Sequence, residues 1–209
     1  DLRGTVFYTD CGFSPQPAGV EDRRYSPDTL SQEYTGCGVG DYRIPCLSLE
    51  NGDGSRAADL RFADAQVQPG KYALPGLPAS FDAGDACETL RVTLKDPVTG
   101  LTVTLLYGVF AQADVITRAA LIENGGAAPL TLHKAASACL DLPFGRWELI
   151  HFHGRHCMER QMERTPLPHA VQTLRSARGA SSHQHNPFAI LAAPGAGEDA
   201  GDCLGAMLV

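Results

Sequence analysis

Between Leu90 and Val109 the chain alternates apolar and polar side chains, with one interruption. Leu90, Val92 and Leu94 are spaced by Arg91, Thr93 and Lys95. After Asp96-Pro97-Val98-Thr99-Gly100 the pattern resumes at Leu101, Val103, Leu105, Tyr107 and Val109. In an extended chain successive side chains point to opposite faces, so this period puts one apolar face against a core on each strand. The intervening Asp, Pro and Gly supply turn chemistry. Two half-buried strands joined in this way constrain the fold more than any other feature of the sequence.

Other segments extend the pattern. A strand is predicted over 115–123, and Asn124-Gly125-Gly126 turns it toward Leu130-Thr131-Leu132-His133. Asn51-Gly52-Asp53-Gly54 separates two extended runs and reads as a hairpin signal. No stretch sustains a 3.6-residue period with caps, and residues 155–164 admit either a helix or a strand. Many short strands with frequent Gly, Asn and Pro turns predict an all-β sandwich of mostly antiparallel strands. The first thirty residues are rich in turn formers such as Gly12, Pro15, Pro17, Gly19 and Pro27, so 1–31 is expected to be irregular or to form edge strands. Gly205-Ala206-Met207-Leu208-Val209 reads as a strand stopped midway, and Asp1-Leu2-Arg3-Gly4 carries neither an initiator Met nor a signal-peptide core. The expectation is one β-sandwich domain over 1–209, excised at both ends.

Charge and cysteine usage narrow the partners. The formal net charge is −7 and Lys and Arg form no stripe, which argues against a nucleic-acid partner. No apolar run approaches the ~20 residues that span a bilayer. The seven Cys include no Cys-x-x-Cys pair, so they read as free thiols in a reducing cytoplasm. Cys46 and Cys139 lie in apolar sequence and read as small core residues.

Three constellations invite a chemical reading. His151, His153 and His156 lie close together, and His183 and His185 form a second pair. On strands, 151 with 153 and 183 with 185 would share faces, but no carboxylate or Cys at metal-ligand spacing completes a site, so no metal is expected. Ser181-Ser182-His183 places hydroxyls beside an imidazole, but strand neighbours face opposite ways and no nucleophile elbow is present. The acidic residues, Asp41, Asp53, Asp59, Asp64, Asp141, Glu148, Glu159 and Glu163 among them, are scattered. Glu159-Arg160-Gln161-Met162-Glu163-Arg164 reads as an interface ion-pair network or as a solvated face. Asp41 stands apart because it lies in a Gly-rich loop between Tyr34, Tyr42 and Arg43. A carboxylate there can accept hydrogen bonds from sugar hydroxyls while a tyrosine stacks on the ring's apolar face. Equally, Asp41 and Arg43 could pair and merely shape the loop.

These segments resemble glycoside hydrolase family 36 α-galactosidases. Gln32-Glu33-Tyr34 with Gly38-Val39-Gly40-Asp41-Tyr42-Arg43 is similar to that family's QEYPxxGxGDFRxP loop. Leu77-Pro78-Ala79, Glu88-Thr89-Leu90, Leu94-Lys95-Asp96 with Thr99-Gly100-Leu101, and Ser137-Ala138 with Leu140-Asp141 resemble further family segments in family order. The run from Gly179 to Phe188 is the longest match. Thr35-Gly36-Cys37 departs from the usual proline-containing run, and Tyr42 stands where Phe is common. His153 and His156 lie outside the pattern.

The resemblance implies an N-terminal β-supersandwich followed by a catalytic (β/α)8 barrel. It implies a retaining α-galactosidase acting on oligosaccharides such as raffinose and melibiose, without metal or cofactor. Both catalytic Asp would lie on the barrel, so no residue here inherits a catalytic role and this chain alone should be inactive. It further implies a homo-oligomer, tetrameric at full length. In such an assembly Asp41, Tyr42 and Arg43 would meet substrate in a neighbouring subunit's site. A stand-alone carbohydrate-binding β-sandwich is the alternative, disfavoured because aromatics are only 7% and Trp147 is the sole Trp.

Overall fold

The computed structural model describes residues 32–38, 43–81, 86–142, 145–178 and 184–208. Among them there is no helix, and therefore none long and apolar enough to cross a membrane. The described residues form ten strands, all paired antiparallel. The chain divides into two compact units, 1–142 and 143–209. The N-terminal expectation for 1–31 lies outside the described residues.

The first unit holds two sheets. Strands β2 (Arg61–Pro69), β3 (Glu88–Lys95), β4 (Leu101–Phe110) and β5 (Val115–Asn124) form a four-stranded meander, while β1 (Leu47–Glu50) pairs with β6 (Thr131–Ala135). The hairpin read from the alternation is there in full, with Leu90 opposite Tyr107, Val92 opposite Leu105 and Leu94 opposite Val103. Its turn is built on Asp96. The Asp96 carboxylate accepts from the backbone N–H of Val98 (2.8 Å) and Thr99 (3.2 Å), and from that of Asp59 (3.0 Å). One buried acid thus closes the hairpin and ties it to the approach to β2.

The core of this unit lies between the two sheets. Leu47 and Leu49 from β1 meet Leu94 of β3 and Leu101, Val103 and Leu105 of β4, with Tyr34, Cys46, Ala58 and Leu60 filling the gaps. Each fully buried aliphatic side chain contributes about 1.5–3 kcal/mol. β4 is also buried on its other face, where Thr104 and Leu106 are covered. A strict alternation suggested one buried face only; Thr at 104 disguises the second as polar.

Two connections differ from the sequence reading. Asn51-Gly52-Asp53-Gly54 does make a tight turn, closed by Gly54 N–H to Asn51 O and Asn51 N–H to Ser55 O, both 2.8 Å. The strands beside it do not pair with each other. The chain instead runs through buried Ala58 and Leu60 before entering β2 in the other sheet. Likewise the Asn124 turn leads β5 into β6, but β6 joins β1. In both cases the apolar residues flanking the turn are used to bridge sheets rather than to zip a hairpin.

The second unit is one sheet in the order β10-β9-β7-β8, formed by β7 (Glu148–Arg155), β8 (Met158–Pro166), β9 (His185–Ala192) and β10 (Cys203–Met207). Residues 158–164, ambiguous in sequence, are strand: a turn at His156-Cys157 returns the chain along β7, with Cys157 at φ 63. A small apolar cluster of Ile150, Ala192 and Ala196, with Phe152 and Ile190 against it, holds this sheet. Phe152 stacks on Phe188 at 6.1 Å.

Leu105→Ala should remove about 2–5 kcal/mol of stability, because β4 is sealed on both faces and cannot collapse onto the void. Urea unfolding of the variant beside the parent protein checks this; a loss below about 1 kcal/mol would mean the core relaxes freely.

Candidate functional site

Four consecutive residues of the first unit each have a separate anchor. Gln32 is buried, and its backbone N–H donates to Asp141 Oδ2 at 2.8 Å. Glu33 Oε1 takes a 2.8 Å ion pair from Arg118 Nη1 and accepts a short hydrogen bond from the Tyr107 hydroxyl. The Arg118 guanidinium lies 4.0 Å above the Tyr107 ring, so the donor side of this pair is braced by the sheet. Tyr34 is 1% exposed; its ring fills the core and its hydroxyl donates to Ala136 O at 3.0 Å. Thr35 ends the run, its carbonyl accepting from Cys46 and Leu47 N–H and its hydroxyl oxygen accepting from Cys46 N–H at 2.8 Å.

The Gly-rich segment begins where these anchors stop. Gly36 packs so close to the chain that a Cβ there would stand 2.4 Å from the Ala58 carbonyl oxygen, and Gly38 adopts φ +80. Neither position accepts an ordinary side chain without strain. Cys37 O accepts from Ala58 N–H at 2.9 Å. The chain is next described at Arg43, whose Nη1 donates to Asp141 Oδ2 at 2.8 Å. The Gln32 backbone and the Arg43 guanidinium therefore converge on one carboxylate oxygen.

Of the three residues singled out as substrate contacts, Arg43 is placed by this geometry at the loop's foot. Asp41 and Tyr42 lie outside the described residues. Asp141 and Glu33, the acids that hold the loop, escaped sequence reasoning, because their partners are 98 and, for the Glu33–Tyr107 contact, 74 residues distant. The available signal was their membership of the Gln32-Glu33-Tyr34 and Leu140-Asp141 segments.

Behind the loop, Cys46 and Cys139 are core residues, as their sequence surroundings suggested. They also touch: a hydrogen bond from Cys139 lowers the Cys46 thiol's pKa and pushes that of Cys139 up. Burial raises the Tyr34 hydroxyl to about 12.

The histidines gather on the second unit's sheet. His151 and His153 share a face of β7, and His185 of β9 stands opposite His153. The three rings are 5.9–6.2 Å apart by centroid. Glu163 Oε2 lies 3.5 Å from His151 Nε2 and 3.6 Å from His153 Nε2, a carboxylate contributed by the next strand that local spacing did not reveal. Among the described residues no three donors are arranged to hold a metal ion. His156 sits in the exposed β7–β8 turn, and Ser181-Ser182-His183 lies outside the described residues. On β8, Arg164 pairs with Glu148 and donates to Ala196 O at 2.7 Å, while Arg160, Gln161 and Met162 of the charged run are exposed. A largely apolar cavity of about 610 Å³ opens beside β9 and β10, lined by Arg178, His185, Asn186, Phe188 and Met207 among others.

A family model for the glycosyl hydrolase family 36 N-terminal domain matches residues 6–209. The chain belongs to that family. It is 46% identical over 203 residues to the bifunctional alpha-galactosidase/sucrose kinase AgaSK of Mediterraneibacter gnavus, covering 97% of this chain and 22% of the relative. It is 41% identical over 208 residues to alpha-galactosidase AgaA of Geobacillus stearothermophilus, covering 98% and 28%. Among solved structures, an AgaA variant in complex with raffinose matches with TM-score 0.86 at 42% identity, over 92% of this chain and 27% of that one. This family 36 domain thus spans about a quarter of the length of these relatives.

Tyr34→Phe keeps the packed ring but strips the Ala136 carbonyl of its donor, and should cost about 1 kcal/mol near neutral pH. The parent's advantage should then shrink as pH rises from about 10 toward 12, because the unfolded phenol ionises first while the buried one resists. Urea unfolding at pH 8 and pH 11 reads both effects; an equal gap at the two values would show that burial does not hold the phenol neutral.

Proposed function

We propose that this family 36 domain is the non-catalytic N-terminal part of a retaining α-galactosidase. The whole protein would release terminal α-galactose from oligosaccharides such as raffinose and melibiose, acting in the cytoplasm as a homo-oligomer, tetrameric at full length. The domain would contribute subunit contacts and the loop bearing Asp41, Tyr42 and Arg43, which would meet the sugar bound in a neighbouring subunit. The two catalytic aspartates would lie outside residues 1–209.

The observation that carries this reading is the match of almost the whole chain to one end-domain's worth of proteins named alpha-galactosidases. A structural relative holding raffinose and another holding stachyose support the substrate class. The chemistry agrees. A retaining glycosidase needs two carboxyl groups about 5–5.5 Å apart, one free to attack and one to donate a proton. The half-buried acids Glu33, Asp141 and Glu148 each face a guanidinium instead. They build structure, Glu33 and Asp141 beside the loop to which sugar recognition is left and Glu148 within its own sheet.

Asp41→Ala in the full-length protein should lower kcat/KM on raffinose roughly 10- to 100-fold, the worth of one charged hydrogen bond to a sugar hydroxyl. Steady-state kinetics decide this, and an unchanged kcat/KM would sink the loop's assignment.

A further inference from the structure

Two thiols of the first unit meet inside its core. Cys46 precedes β1 and is buried, 5% exposed. Cys139 follows β6 in the chain and packs, partly covered, against the same cluster. The backbone brings their segments together independently of the sulfurs. Leu47 is paired with Ala135, and Cys46 O accepts from Ala136 N–H at 2.8 Å, three residues before Cys139. On its other side Cys46 N–H donates to the Thr35 carbonyl and hydroxyl oxygens, at 3.0 and 2.8 Å. The two side chains are themselves in hydrogen-bonding contact. A disulfide between them has to close only the gap from contact to bond, across segments that the fold already ties. The contact also makes the two sulfurs unlike. The Cys139 S–H donates to Cys46, and with the Thr35 hydrogen bonds this holds the Cys46 thiol down at about 6 against the opposing effect of burial. Cys139, which gives the proton, is pushed up. Cys46 therefore supplies a thiolate, the nucleophilic form, and Cys139 stands beside it as a second thiol.

We propose that Cys46 and Cys139 are a redox-sensitive pair, which a hydroperoxide converts into a reversible disulfide that staples the start of β1 to the segment after β6. With hydrogen peroxide as oxidant the chemistry balances. The Cys46 thiolate attacks one peroxide oxygen and the O–O bond breaks. Cys46 becomes a sulfenic acid, and the departing hydroxide takes up a proton as water. The Cys139 sulfur then attacks the Cys46 sulfur, the S–O bond breaks, and hydroxide leaves with the Cys139 proton as a second water. The two sulfurs give up two electrons and the peroxide gains them. A thiol reductant reopens the bond by exchange. The staple closes the chain from 46 to 139, nearly half of the 209 residues. Closing so long a loop removes much of the freedom of the unfolded chain, so the oxidised domain gains stability.

The full-length protein tests the pair. It is treated while folded with an excess of hydrogen peroxide, then alkylated and digested. A peptide joining Cys46 to Cys139 should appear, and dithiothreitol should remove it. Exposed Cys157 and Cys203 of the second unit serve as internal controls for oxidant reaching the protein. Hydrogen exchange in sub-denaturing urea reads the staple: amides of β1 and β6 should exchange about tenfold or more slowly in the oxidised protein than in the reduced one. Cys139→Ser removes the second sulfur, and peroxide should then leave Cys46 as a sulfenic acid that dimedone traps.

Recovery of Cys46 and Cys139 as free thiols while Cys157 or Cys203 is oxidised would overturn the pair. So would Cys46 joined to any other cysteine, or carried to a sulfinic acid in the parent protein. A Cys46–Cys139 bond that leaves exchange in β1 and β6 unchanged would overturn the staple. Cys46 unreactive in a folded Cys139→Ser variant would overturn its role as the attacking sulfur. If that variant does not fold, the peptide map of the parent protein decides.

Discussion

The ion pair between Glu33 and Arg118, braced by Tyr107, is the interaction on which the anchoring of the first unit's Gly-rich segment depends. It fixes a short stretch, 32–35, to the β4–β5 pair at one side of the four-stranded sheet. With Glu33 held, Tyr34 is directed into the core and its hydroxyl reaches the Ala136 carbonyl. With Tyr34 held, Thr35 meets the start of β1. Neither charge is far from water, yet both are mostly covered, so removing one partner would strand the other. The Gly-rich loop is therefore launched from a rigid base.

The division of labour among acids follows from that base. Asp96 organises a hairpin, Glu33 the loop's entry, Asp141 the Gln32 backbone and Arg43, and Glu148 the β7–β8 pairing through Arg164. Each carboxylate sits against backbone N–H groups or a guanidinium that folding supplies. A domain whose covered acids are committed in this way is suited to hold and present, and under the proposed function glycoside cleavage falls to carboxylates elsewhere in the protein.

The strands were legible where burial was one-sided and local. The β3–β4 hairpin, β5 and the all-β class follow directly from period-two patterning and turn residues. Pairing between distant strands was not legible. Asn51-Gly52 carries a hairpin's chemistry, but β1 closes on β6, roughly eighty residues away in sequence, because Leu47 and Leu49 face a core that only the other sheet completes. The second buried face of β4 was hidden by Thr104, and the Glu163 contact with His151 and His153 needed the register of β8 against β7. The candidate site was half legible: the loop stood out by its glycines, tyrosines and Arg43, while Asp141 looked like one of many scattered acids until the fold brought it against the Gln32 backbone and Arg43.

Under the proposed function this domain presents substrate and leaves its cleavage to the rest of the protein. Hydrolysis of an aryl α-galactoside, measured side by side on the 209-residue chain and on the full-length protein, tests that claim most directly, with circular dichroism confirming a β spectrum for the shorter chain. Turnover by the full-length protein alone is expected. Turnover by the β-folded 209-residue chain would contradict it and would return the histidines around Glu163 and the acids of the loop to consideration as catalytic groups.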